Sequence, residues 1–205
     1  MTGKVDLRRE LDGYRARRGE FRVLDVPDLR YLMIDGSGDP NTAPAFTEAV
    51  EAPYPVAYAL KFAGKALGRD YVVPPLEGLW WAEDMASFTA ARDKARWNWT
   101  LMILVPEWIG REQFDAAPER LRRRPARLDD VRLETLAEGR CVQTLHVGSF
   151  DDEAGVLAHL HDVVVPGAGF RMTGEHHEIY LSDPRRTAPA KRRTILRQPV
   201  APAQG

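Results

Sequence analysis

Predicted strands and helices follow the same order twice along this chain, and this repetition restricts the possible folds more strongly than any other sequence feature. Alternating apolar and polar residues indicate strands, whereas longer periodic segments with capping signals indicate helices. Each half has the order strand, helix, strand, strand. These segments lie at 22–35, 41–68, 71–82 and 97–105 in the first half and at 141–150, 151–164, 174–184 and 192–200 in the second. The order predicts an α+β fold built by duplication.

A short repeated motif supports the duplication. Gly36-Ser37-Gly38-Asp39 and Gly148-Ser149-Phe150-Asp151 share the pattern G-S-x-D, and each lies between a predicted strand and a predicted helix. The two copies are 112 residues apart, from position 36 to position 148. Glycine permits a turn and Ser or Asp caps a helix, so turn chemistry alone also explains the motif.

The repeat predicts a single domain with two halves and a connector. We expect the first half at about 21–109, a charged helical connector at about 110–139 and the second half at about 140–200. Pro53 and Pro55 should kink or break the first-half helix, because proline removes a backbone donor and clashes with the preceding turn.

Composition excludes several classes of protein. The 205 residues include 29 basic and 30 acidic side chains, so a net charge of −1 gives no overall attraction to nucleic acid. A single cysteine, Cys141, excludes an internal disulfide framework. The sequence has neither an apolar run long enough for a membrane span nor a signal peptide. We expect a soluble, cytoplasmic protein that binds neither nucleic acid nor membranes, and its oligomeric state stays open.

The common catalytic and cofactor motifs do not occur. His159 and His161 are two apart on a predicted helix, and His176 and His177 are adjacent on a predicted strand, so both pairs diverge. The sequence contains no G-x-S-x-G, and "GSGDPN" lacks the third glycine of a dinucleotide fingerprint. We therefore predict neither a metal nor a cofactor.

Tryptophan is concentrated in one part of the chain. Four of the five tryptophans, Trp80, Trp81, Trp97 and Trp99, lie on two neighbouring predicted strands. They either fill a core or form the wall of a pocket for a flat ligand, and the bulk and N–H of indole favour the pocket. Since adjacent strand residues face opposite ways, at most one of Trp80 and Trp81 should line it.

Two glutamates lie on predicted strands beside aromatic residues. In "GEHHEIYLSDP", strand alternation places Glu178 on one face with His176 and Tyr180. A duplicated fold would place Glu77 at the position equivalent to Glu178, so that both line the seam between the halves. The alternative for each is a structural ion pair.

Several segments resemble the GyrI-like small-molecule-binding family: "LRYLMIDGSGDPN", "PLEGLWW", "WNWTLMI", "LHVGSFDDE" and "HHEIYLSDPRRTAPAKRRTILRQPV". The resemblance covers Leu29 to Val200. It implies antiparallel sheets in a duplicated strand-helix-strand-strand module, with a ligand cleft between pseudo-two-fold-related halves. Relatives include the drug-binding domains of multidrug-sensing regulators, whose buried glutamate contacts cationic drugs, and Glu178 matches that glutamate. The tryptophan-rich signature resembles stand-alone cyclopropanoid cyclohydrolases.

The resemblance and the residues together predict a site for hydrophobic, aromatic or cationic small molecules. Tyr180 would donate a hydrogen bond to a developing oxyanion, and Glu178 would act on the attacking water as base or, if protonated, as acid. The predicted ligand-binding residues are Tyr58, Glu77, Trp81, Trp97, Trp99, Phe170 and His176, with Trp80 as a further neighbour. Two alternatives stay open: a sequestering or sensing module without chemistry, and an interaction protein with a basic C-terminal segment.

Overall fold

The structure, a computed structural model, describes residues 3–83 and 93–203. The strands are β1 Arg22–Val26, β2 Leu29–Ser37, β3 Leu76–Trp81, β4 Asn98–Leu104, β5 Arg132–Leu136, β6 Gly139–Val147, β7 Phe170–Met172, β8 His176–Tyr180 and β9 Arg193–Pro202. The helices are α1 Leu7–Glu10, α2 Pro44–Glu51, α3 Pro53–Ala66, α4 Arg111–Ala116 and α5 Ala154–His159. Helix α5 continues through a π-helical segment, Leu160–Val164, and a last turn, Val165–Gly167.

The strands form one antiparallel sheet in the order β1-β6-β9-β8-β3-β4-β2-β5, with β7 beside β9. Within it, β2, α2, α3, β3 and β4 form one strand-helix-strand-strand unit, and β6, α5, β8 and β9 form the other. The two units join where β3 pairs with β8, so that Gly78 lies opposite Glu178 and Glu77 opposite Ile179. This mixed helical and antiparallel architecture confirms the predicted α+β fold.

The two halves exchange their edge strands. β1 precedes β2 in the chain but pairs with β6 of the other half, and β5 precedes β6 but pairs with β2. The predicted connector at 110–139 is therefore not helical throughout, because β5 lies within it. A five-residue edge strand carries little periodic signal of its own, and pairing with β2 determines its conformation.

The sequence offset between equivalent positions of the two structural repeats differs from the offset between the two G-S-x-D motifs. β2 spans 29–37 and β6 spans 139–147, so equivalent strand residues are 110 positions apart, not 112. This offset aligns Gly38 with Gly148, and both have positive φ, +102° and +159°. Both halves thus turn out of their first strand at a conformation that favours glycine.

Both faces of the sheet are covered. On β2, Leu32 and Ile34 face α2 and α3, where they share a core with Val56 and Leu60 of α3. The alternate residues, Tyr31 and Met33, face the N-terminal segment through Tyr14. As predicted, the helix is broken at its prolines: α2 ends at Glu51 and α3 begins at Pro53. No helix among the described residues is long and apolar enough to cross a membrane.

Candidate ligand-binding cleft

A cleft of about 1490 Å³ opens on the helical face of the sheet, between the two halves. Its floor is formed by β3 and β8. One wall comes from α2 and α3, and the opposite wall from α5 and the short 3₁₀ turn Phe150–Glu153 that precedes it. Side chains from both repeats therefore meet in one cavity, which is larger than the roughly 300–1,000 Å³ typical of small-molecule pockets.

The centre of the floor is a contact between Trp80 and Tyr180. The indole Nε1 of Trp80 donates a hydrogen bond to the Tyr180 hydroxyl at 2.9 Å. Gly78 makes the contact possible, since a Cβ there would lie 2.8 Å from Trp80 Nε1 and 3.1 Å from the Tyr180 oxygen. A glycine inside a strand signals such a close approach, and this one lies opposite Glu178.

Glu178 lines the cleft beside Tyr180, with 12% of its side chain exposed. Burial, reinforced by the charge of Glu178 and by a hydrogen bond to it, raises the pKa of Tyr180 well above its ordinary value. Tyr180 therefore keeps its proton and acts as a donor. On the other side, Glu178 Oε1 lies 3.7 Å from Nε2 of His176. Because burial lowers the pKa of His176 well below its ordinary value, this contact is not an ion pair.

Aromatic rings cluster around this floor. Trp80 contacts Trp97 and Phe46, with both centroid distances at 5.9 Å. Phe150 meets the ring of Tyr180 edge-on at 5.7 Å. Farther out, Tyr54 and Tyr58 of α3 line the cleft, and Tyr58 is 46% exposed. The inner cleft thus offers flat apolar surfaces, and the Tyr180 hydroxyl lies among them.

Three of the predicted tryptophan and phenylalanine residues do not reach the cleft, and the buried His176 does not line it either. Trp81 follows Trp80 in β3 and therefore points to the opposite face, where it packs against the N-terminal core. Trp99 lies on the cleft side but is fully buried beneath Phe46, in a space left by Gly36. Phe170 packs in a separate cluster with Leu160 and Val165. Of the two adjacent tryptophans, Trp80 is the one that lines the cleft.

The predicted equivalence of Glu77 and Glu178 does not hold. Glu77 opposes Ile179 in the register and shares that residue's face, so the two glutamates lie on opposite sides of the sheet. Glu77 is fully buried, accepts a hydrogen bond from the Tyr14 hydroxyl and lies 2.9 Å from Nε2 of His177.

The contacts of Glu77 belong to a closed ionic network. His177 Nδ1 lies 2.9 Å from Glu138, and Arg197 donates to the same carboxylate at 2.8 Å. Burial alone would lower the pKa of His177, but the charge of Glu138 and hydrogen bonds to Glu138 and Glu77 raise it to about 9. Burial would raise the pKa of Glu138, yet His177 and Arg197 lower it to about 2. His177, Glu138 and Arg197 are therefore all charged at neutral pH.

Sequence reasoning missed several residues of the cleft. Phe46 and Tyr54 follow the helical spacing of the first half, which by itself indicates only packing. Glu153 and His161 also line the cleft, both more than nine-tenths buried. Their spacing of eight residues places them on one helical face, a weak signal that becomes meaningful only once α5 is known to form a wall.

Fold and cleft together define a small-molecule-binding domain, and comparison with known proteins identifies it. The model of the GyrI-like small molecule binding domain matches residues 19–201, so this chain belongs to the GyrI-like family. Among curated proteins, none matches the chain.

Similar solved structures agree with this assignment. An uncharacterized conserved protein from Listeria innocua is 36% identical, with a TM-score of 0.84 over 97% of this chain and 100% of the other. A hydrolase encoded by lin2189 from the same organism is 34% identical, with a TM-score of 0.82 and the same coverage. The EcmrR C-terminal domain, at 10% identity and a TM-score of 0.60 over 90% of this chain and 98% of the other, shares the fold.

Proposed function

We propose that the cleft binds hydrophobic aromatic or cationic small molecules and hydrolyses cyclopropane-bearing xenobiotics, with Glu178 and Tyr180 as catalytic residues. The observation that carries the proposal is the cleft floor, where Trp80, Tyr180 and Glu178 form a hydrogen-bonded series between aromatic walls. Two similar solved structures from Listeria innocua, each described as that of a hydrolase, support a catalytic role.

The reaction adds one water to a spirocyclopropane that is conjugated to a dienone. The water oxygen bonds to the methylene carbon, and the bond between that carbon and the spiro carbon breaks. The electron pair of the broken bond moves into the dienone, whose carbonyl oxygen takes a proton and becomes a phenol. The water loses one proton, so atoms and charge balance without an oxidant or reductant.

Tyr180 supplies the hydrogen bond to the developing oxyanion. Its raised pKa keeps it protonated, and the N–H of Trp80 holds its oxygen in place. When a substrate carbonyl accepts the hydrogen bond of the Tyr180 hydroxyl, it replaces Glu178 as the acceptor and frees one carboxylate oxygen of Glu178. That oxygen then takes the proton of the attacking water, as a general base. Trp80 and Trp97 exclude bulk water and place π faces against the electron-poor methylene.

Binding without chemistry is the second candidate, and the family description favours it. A buried carboxylate among aromatic rings attracts a cationic ligand through its charge and through the ring quadrupoles, and this requires no reaction. The protein would then sequester or sense hydrophobic cations.

Incubation with a spirocyclopropyl-dienone alkylator separates the two candidates. Mass spectrometry should detect the product with one added water, and Tyr180→Phe should slow its formation about 100-fold. A ligand that binds without forming the hydrated product identifies the binding module. Absence of both binding and product would refute the proposed function.

A further inference from the structure

Two large aromatic side chains of α3 are exposed at the rim of the cleft. Tyr58 lines the cleft and is 46% exposed, and Phe62, one helical turn farther along the chain, is 59% exposed. Other residues of α3, Val56 and Leu60 among them, form its core face, so packing requires no large ring at either exposed position. A single exposed aromatic residue is common, but adjoining apolar side chains at the rim of a cavity are typical of a binding surface.

Helical spacing joins these two rings to the inner cleft. Tyr54, Tyr58 and Phe62 are four residues apart, so they lie along one face of α3 and form what we call the aromatic row. Tyr54 packs against the core and lines the cleft, Tyr58 lies at the rim, and Phe62 lies beyond it. The ring centroids of Tyr58 and Phe62 are 6.2 Å apart, with an interplanar angle of 29°. At 1.5 Å per residue, the aromatic row extends about 12 Å along the helix.

The outer end of the aromatic row is anchored to the body of the protein. Lys61 is buried, and its Nζ donates hydrogen bonds to Asp70 and, at 2.7 Å, to the backbone oxygen of Tyr71. The same Nζ lies 5.9 Å from the centroid of the Phe62 ring. These bonds hold the end of α3 against the segment that leads into β3. A ring presented by a fixed helix loses little freedom when a ligand binds, which favours affinity.

We propose that the ligand site extends beyond the cleft, and that Tyr58 and Phe62 form an outer subsite for a second planar aromatic unit. The first unit lies on the cleft floor beside Trp80, and the second stacks with an offset on the two exposed rings. The preferred ligands are therefore elongated, with two planar units joined by a linker that follows the row for about 12 Å. Phe62 determines this preference. The inference rests on the proposed function, because the cleft must hold the first unit.

Two acridinium probes test the inference. One carries a plain N-pentyl chain, and the other carries a naphthyl group at the end of the same chain, which is long enough to follow the aromatic row. In fluorescence titrations, the wild-type protein should bind the naphthyl probe about 10-fold more tightly than the plain probe, a difference of about 1.4 kcal/mol. Phe62→Ala should remove this gain and leave the affinity for the plain probe within about 2-fold.

Two further variants separate stacking on Phe62 from a general affinity of the naphthyl group for apolar surface. Phe62→Tyr keeps a six-membered ring at the position, and it should retain the gain. Val23→Ala shortens a side chain of the edge strand β1 that is 45% exposed, and it should bind both probes as the wild type does. Thermal melts verify that each variant is folded.

The outcomes distinguish this inference from the function on which it rests. Equal wild-type affinity for the two probes, or a gain that survives in folded Phe62→Ala, overturns the outer subsite and leaves the proposed function intact. A gain that Val23→Ala removes as fully as Phe62→Ala does would also overturn the subsite. If neither probe binds the wild-type protein, the binding of planar cations in the cleft and this inference both fall.

Discussion

The two faces of β8 place the same residue types in different surroundings. On one face, His177 lies between Glu77 and Glu138, in a network that Arg197 and Tyr14 complete. On the other face, Glu178 and Tyr180 border an open cleft of about 1490 Å³. We expect the carboxylates enclosed by fixed donors to stabilise the fold, and we propose that the carboxylate beside the open cavity contacts a ligand. Burial of a charged group therefore identifies neither role by itself.

Two adjacent positions of β3 face the closed network on one side of the sheet and the cleft on the other. Gly78 opposes Glu178, and Glu77 opposes Ile179, so the neighbouring positions Glu77 and Gly78 serve different faces. Substitutions on the closed face should change stability, and substitutions on the cleft face should change ligand handling. The following experiments test that division.

Arg197→Met should have the largest effect on stability. Arg197 donates to Glu138, to Gln143 and to the backbone oxygen of Gly13, and it is 2% exposed. Its removal leaves Glu138 without its guanidinium partner, which should cost about 3–5 kcal/mol. Urea unfolding measures the loss, with the exposed Arg123→Met as the matched control. A midpoint unchanged from the wild type would mean that the network does not stabilise the fold.

Alkaline pH should weaken the closed face through His177. Its pKa is about 9 in the folded protein against an ordinary 6.5, so its stabilisation is complete below pH 6.5 and is lost as the pH rises through 9. The contribution amounts to roughly 3 kcal/mol. Stability measured between pH 6 and 10 should fall in the wild type and change less in His177→Gln. If stability fell equally with pH in both proteins, His177 would not be the source of the pH dependence.

Gly78→Ala should have a smaller effect and should act on the cleft. The added methyl group meets Trp80 Nε1 and the Tyr180 oxygen and must displace one of them. Overpacking of this kind costs about 1–3 kcal/mol, and loss of the Trp80–Tyr180 hydrogen bond should also weaken ligand binding. Denaturant titration measures the first effect, and fluorescence titration with ethidium, a planar cationic dye, measures the second. A variant that binds ligand as the wild type does would show that the contact is not part of the site.

The repeated order of strands and helices predicted the fold, because hydrophobic periodicity and proline positions are local signals. The break between α2 and α3 follows directly from Pro53 and Pro55. The exchanged strands β1 and β5 were not predictable, since which edge a short strand joins depends on contacts distant in sequence.

Strand alternation predicted some of the side-chain directions around the cleft, but not all of them. Strand alternation placed Glu178, His176 and Tyr180 on one face, as the structure does. The pairing of β3 with β8 decides the face of Glu77, and no local pattern contains that register. The positions of Trp81 and Trp99 could not be predicted from local patterns either. Strand alternation predicts that Trp80 and Trp81 point to opposite faces, but only the packed structure shows which of them faces the cleft and that Trp99 is buried.

The most direct test of the account is Glu178→Gln, measured by thermal unfolding and by ligand titration on the same sample. A carboxylate placed for a ligand is not required for folding, so the variant should melt at or above the wild-type temperature. Its affinity for ethidium should fall about 10-fold, which corresponds to about 1.4 kcal/mol. Ring opening of a spirocyclopropane should slow at least 100-fold. A lower melting temperature together with unchanged binding would make Glu178 a structural residue and would contradict the division between the two faces.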